Sequence, residues 1–108
     1  MPFSVWLTDD AARDLGELFD YVATAHGAGE AEQLLGRIER AVASLSESPE
    51  RGPHPKELLA LGIREYREVF FNPYRIVYRV AGDNVFVLLV ADGRRDLRTL
   101  LQRRLLGA

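Results

Sequence analysis

Between Ile63 and Asp96 the chain carries three runs rich in β-branched and aromatic residues, IREYREVFF, YRIVYRV and NVFVLLVAD. They are broken by Asn72-Pro73 and by Ala81-Gly82-Asp83-Asn84. Runs of this length bounded by turn formers predict strands, and connections this short leave room only for an antiparallel meander. In the middle run Tyr74, Ile76, Tyr78 and Val80 share one face by the two-residue period, while Arg75, Val77 and Arg79 share the other. The expectation is one face turned to a core and the other to water or an anion. Arg64 and Arg67 sit in the first run beside Glu65 and Glu68, with which Arg75 or Arg79 could instead pair across strands.

The segment before the meander must supply the core. Phe3-Ser4-Val5-Trp6-Leu7 alternates as a short strand that could join the sheet, with Phe3, Val5 and Leu7 on one face. Thr8 or Asp9 then offers an N-cap, Asp9 and Asp10 suit the positive end of a helix dipole, and Leu15, Leu18, Phe19 and Val22 recur at helical spacing. That helix should end near His26-Gly27. A second is expected from Gly29, with Leu34, Leu35, Ile38, Ala41, Val42 and Leu45 as its stripe and Pro49 as its stop. Joined by three or four residues, the two read as an antiparallel hairpin laid on the sheet. Ser48 to Gly62, with its prolines, reads as a loop holding a short apolar turn over Glu57 to Leu61. After the sheet, Asp96 can cap a last helix in which Leu97, Leu100, Leu101, Leu105 and Leu106 alternate with Arg98, Arg103 and Arg104. The predicted class is α+β in the order β-α-α-β-β-β plus a short C-terminal helix, one domain over residues 1–108.

Composition narrows the chemistry. The chain has no cysteine, so disulfides, thiolate metal sites and thiol nucleophiles are excluded, and a reducing compartment suits it. No run approaches the roughly 18 apolar residues of a spanning helix, and the N-terminus lacks a basic-then-apolar export pattern, so a cytoplasmic protein is expected. His26 and His54 have no second ligand at metal spacing, and neither a metal nor a cofactor is expected. The net charge of −2 conceals a segregation: residues 1–50 hold three Arg against ten Asp and Glu, residues 51–108 eleven Lys and Arg against six acids. A pI near 5.7 argues against a strongly basic nucleic-acid surface. Arg94, Arg95 and Arg98 lie at a helix start, against the dipole preference, which points to a use beyond stability.

In order and spacing, several fragments together resemble the RelE/ParE superfamily of bacterial toxins, on the ParE side. They are Ala11, Asp14 and Leu15 with Tyr21 at the helix end, Ile38-Glu39 and Leu45, Pro49-Glu50-Arg51-Gly52, Leu61-Gly62-Ile63-Arg64, Tyr74 to Val80, and Arg94-Arg95-Asp96. The resemblance covers nearly everything from Val5 to Leu97. It implies a helical hairpin on a mainly antiparallel sheet, and a toxin held by a small antitoxin. Many relatives have a His shortly before the terminal Arg-Asp, where this chain has Ala91-Asp92-Gly93, so no role of that His carries over.

RelE-like members cut messenger RNA on the ribosome, which needs an acid-base group and cations for the phosphorane charge. This chain has Arg64, Arg67, Arg75, Arg79, Arg94 and Arg95, yet after Tyr78 no Tyr, His or Lys follows. ParE-like members bind and poison DNA gyrase without catalysis, and that reading is favoured. A ribosome-dependent endoribonuclease and an inactive antitoxin-binding member stand as alternatives. Under the favoured reading no residue is catalytic, and Arg94, Arg95, Arg98, Arg103 and Arg104 are expected to meet the target. Arg64, Arg67, Arg75, Arg79, Leu100, Leu101 and Leu105 are expected to meet an anion or a ParD-like antitoxin, in a hetero-oligomer without membrane contact.

Overall fold

The computed structural model describes residues 2–106, the side chain of Leu106 excepted, so that leucine's place in the predicted stripe lies outside the described residues. Its elements are β1 (Ser4–Leu7), α1 (Asp9–His26), α2 (Ala28–Ala43), α3 (Lys56–Leu59), β2 (Tyr66–Phe71), β3 (Tyr74–Ala81), β4 (Asn84–Asp92) and α4 (Leu97–Leu106), with a 3₁₀ turn at Ser44–Ser46 after α2. The predicted α+β architecture is the one observed. The sheet runs in the order β1-β4-β3-β2, antiparallel except where β1 lies parallel to β4.

Thr8 starts α1, its hydroxyl accepting the Ala11 N–H at 3.2 Å, and Asp9 and Asp10 occupy the first turn. Such a cap contributes about 1 kcal/mol. The hairpin is tighter than the expected loop of three or four residues with α2 opening at Gly29. Gly27 alone joins the helices, at φ 98°, where only glycine sits without strain, and its N–H closes α1 on the Ala23 carbonyl. The helix α2 stops at Ala43, ahead of Pro49, because the chain tightens into the 3₁₀ turn and buries Leu45.

The hairpin packs on one sheet face over Ala11, Leu15, Ile38, Leu45, Val69, Ile76, Tyr78, Val85, Val87 and Val90. The opposite face departs from the expectation of a solvated side. There α3 and α4 roof a second core of Leu58, Val77, Leu89, Ala91, Leu97 and Leu101. Arg75 to Val77 are consequently buried along with Tyr78 in a strand whose alternation predicted a wet face. A central strand covered on both sides loses its exposed face whatever its pattern. Opposite Val77 and Tyr78 the register slips, leaving Leu88 of β4 as the extra residue of a β-bulge.

Candidate functional site

Pro49 to Pro55, which reads in sequence as loop, seals the outer edge of β2. Pro53 accepts the Glu68 N–H at 2.9 Å, and His54 Nδ1 lies 2.9 Å from the Tyr66 carbonyl. A carbonyl can only accept, so the proton is on Nδ1. Gly52 presses so closely that a Cβ there would stand 2.2 Å from the Glu68 carbonyl oxygen, and its N–H donates to the buried Tyr78 hydroxyl at 3.3 Å. Only glycine fits. Tyr78 is fully buried, burial pushes its phenol up, and its hydroxyl holds the loop by accepting from Gly52.

Arg75 is the main correction to the predicted anion-facing set. Its guanidinium donates to both Glu57 oxygens at 2.7 Å, and to Glu68 through Nε at 2.8 Å. At 7% exposure it has no free edge for an external anion. One cation shared by two carboxylates leaves the cluster a charge of about −1. Hydrogen bonds from Arg75 hold the Glu57 carboxyl below its ordinary range, whereas burial pushes that of Glu68 up despite the same partner. The two carboxylates raise Arg75 further and keep it charged. Glu68 lies diagonally across strands from Arg75, so pairing was one of the readings open in sequence; Glu57 arrives on α3, 18 residues away, and had no signal.

Arg104 is likewise withdrawn from the predicted target-facing set. It grips Asp14 of α1 through two bonds of 2.9 and 3.0 Å, donates to the Leu88 carbonyl at the bulge at 2.8 Å, and is largely covered. Asp14 also accepts the Val90 N–H at 3.0 Å, so this one carboxylate ties α1, β4 and α4 together. Leu101 is fully buried, and Leu100 and Leu105 are half-buried against the second core, so α4 is packed down rather than presented. Arg67 is partly covered and donates to the Gly52 carbonyl at 2.8 Å. Arg64 and Arg79 face solvent.

Of the predicted target-facing arginines, the exposed ones begin at the turn after β4. Arg94 folds back on Asp92 with bonds of 2.9 Å from Nε and 2.6 Å from its terminal nitrogen, while 79% of its side chain stays exposed. This pairing and the Arg94 backbone N–H pull Asp92 down to about 2. Asp96 caps α4 by accepting the Thr99 N–H and hydroxyl, which lowers its own carboxyl. Arg95 and Arg98 are exposed beside it, and Arg103 is exposed in the last turn of α4. Beside this turn an open groove of about 750 Å³ separates the hairpin from the sheet end, with Tyr21, Glu17, Glu30 and Arg37 on one wall and Tyr74, Arg94 and Arg95 on the other. Tyr21, 66% exposed, gave no sign in sequence of facing a groove. Among the described residues no cluster of three His, Cys, Asp or Glu could hold a metal, and no helix is long and apolar enough to cross a membrane.

Residues 5–97 match the model of the ParE toxin of the type II toxin-antitoxin system parDE. The chain is similar to toxin ParE3 of Caulobacter vibrioides, 30% identical over 97 residues that span 90% of this chain and 93% of the relative. In fold it is similar to the chromosomal ParDE system of P. aeruginosa, with a TM-score of 0.73 at 20% identity, over 83% of this chain and 95% of the other. It is also similar to the RelBE2 toxin-antitoxin complex of Mycobacterium tuberculosis (TM-score 0.62, 24% identity, 85% and 92% coverage) and to E. coli RelE in the free state (0.60, 19%, 93% of each chain).

Proposed function

Because the chain belongs to the ParE family of toxins of type II toxin-antitoxin systems, we propose that it acts by binding DNA gyrase and is neutralised by a ParD-like antitoxin. It works in the cytoplasm without cofactor or catalytic group. The observation that carries this reading over a ribonuclease is the state of Arg75. Cleavage through a 2′-hydroxyl needs convergent cations and a proton acceptor on the sheet face. There the central arginine is buried, tied to α3, and neutralised by Glu57 and Glu68. Past Tyr78 the chain offers no Tyr, His or Lys.

We assign the target contact to Arg94, Arg95, Arg98 and Arg103 at the turn after β4 and on α4, and antitoxin contact to the solvent-facing Arg64 and Arg79. Purified protein should inhibit supercoiling by gyrase, and replacing Arg94, Arg95 and Arg98 together by Ala should weaken that by about tenfold or more, as loss of interface arginines does. Melting temperature and capture by the antitoxin encoded beside it should hold. Full inhibition by the triple variant would refute the assignment. Site-specific cleavage of messenger RNA on programmed ribosomes would replace the gyrase reading with the ribonuclease one.

A further inference from the structure

The sheet has two edges, and the chain treats them differently. Along β2 the Pro49 to Pro55 segment takes up the outward groups of Tyr66 and Glu68. Along β1 nothing comparable happens among the described residues. Ser4 and Thr8 donate to the carbonyls of Asp83 and Val87, so the even-numbered positions are spent on β4 and the odd ones point outward. Ser46 accepts the outward N–H of Phe3, and the cover stops there, leaving Val5 and Leu7. The strand Ser4-Val5-Trp6-Leu7 has no charge, proline or bulge, the usual devices that blunt an edge. Trp6 and Leu7 are 55% and 41% exposed.

On the face away from the hairpin, Trp6 stands in register with Phe86 and Phe86 with Arg79. Trp6 Nε1 donates to Asn84 Oδ1 at 3.0 Å, which fixes the indole in place beside the edge. The rims are acidic. Exposed Glu47 and Asp83 border the start of β1, and exposed Asp9 borders its end beside Asp10, whose partners are Arg13 and Arg104.

We propose that β1 is a strand-addition site for an extended protein segment that is apolar in its centre and basic at its ends. Backbone groups of Val5 and Leu7 pair with the incoming strand, an apolar side chain rests on Trp6, and the basic flanks meet Glu47, Asp83 and Asp9. A second copy of this chain fits poorly, because antiparallel pairing of two β1 edges sets the Glu47 and Asp83 end of one against the Asp9 end of the other. The same acids repel a nucleic-acid backbone.

Trp6 is the chain's one tryptophan, so its fluorescence reports on this edge alone. The probe is a synthetic peptide of alternating Val and Thr flanked by Lys pairs, titrated into the full chain at low salt. A saturable blue shift is expected, about tenfold weaker for the same peptide flanked by Glu. Leu7→Pro removes an outward N–H and leaves the bonds to β4 alone, a position where an edge strand tolerates proline. It should abolish the shift at an unchanged melting temperature. Leu7→Lys, which changes only an exposed side chain, should weaken binding several-fold through charge and provides the same test should the proline variant unfold. Equal binding of the two peptides, an undiminished shift in the folded variants, or a shift produced by dilution series of the protein alone or by single-stranded oligonucleotide would each overturn the proposal.

Discussion

Arg75 and Arg94 each hold a carboxylate through a two-pronged contact, yet the two pairs are physical opposites. The Arg75 cluster is dry and bridges β2, β3 and α3, so removing its one cation leaves uncompensated charge in the interior. The Arg94 pair spans two residues of one turn, with the guanidinium in water, where solvent and salt screen it. The lesson is that an arginine's neighbours in sequence say little about whether it builds the protein or faces a partner. Burial decides.

The comparison breaks most sharply at Arg75. Arg75→Ala should destabilise the fold by about 3 to 5 kcal/mol, because Glu57 and Glu68 would be left buried without their cation. Chemical denaturation measures it, and a loss within experimental error would mean the cluster is wetter than described. Arg104→Ala should follow at about 1.5 to 3 kcal/mol, through its charged hydrogen bonds to Asp14 and Leu88. Its effect on toxicity should track stability alone, unlike that of Arg95 or Arg98.

The surplus carboxylate sharpens the contrast. Glu68 is raised in the folded state, so the fold binds its proton more tightly than the unfolded chain does, and the associated stability is lost as pH rises through the folded value. Glu57 is lowered, and its contribution is present above the ordinary glutamate range and lost on acidification. Glu68→Gln should therefore stabilise the protein at neutral pH, on the order of 1 kcal/mol. That advantage should shrink towards zero as acid protonates Glu68 in the parent, which melting curves across the pH range would show. A constant advantage at all pH values would mean that Glu68 does not titrate as argued. The smallest effect belongs to Arg94→Ala, for which only a marginal fall in melting temperature is expected near neutrality, because the pair lies in water. That margin should vanish as pH falls from the ordinary aspartate range towards about 2, where Asp92 loses its charge in the parent as well.

Local patterning carried much of this architecture. Period-2 runs between turn formers located β2, β3 and β4, and the Thr8 cap with Leu15, Leu18 and Val22 located α1 to its last turn. Those signals are legible because each depends on residues a few positions apart. The candidate site was less legible. Arg95 and Arg98, legible as basic residues set against the dipole of a helix start, are exposed, whereas Arg75 of the strand period and Arg104 and Leu101 of the C-terminal Arg and Leu pattern are covered by other elements.

By itself, then, the sequence determined the identity and order of the strands and helices, the antiparallel meander and the acidic-first, basic-last division of charge. Tertiary structure alone decided that β1 enters the sheet parallel and at an edge, that Gly27 suffices to turn the hairpin, and that α3 and α4 close over the second face. The reason is one of range. Backbone preference and side-chain period act within a turn or two of the chain, but the fate of a charge depends on which distant carboxylates and leucines reach it. Glu57 finds Arg75 across 18 residues and Asp14 finds Arg104 across 90, and no local pattern records either meeting.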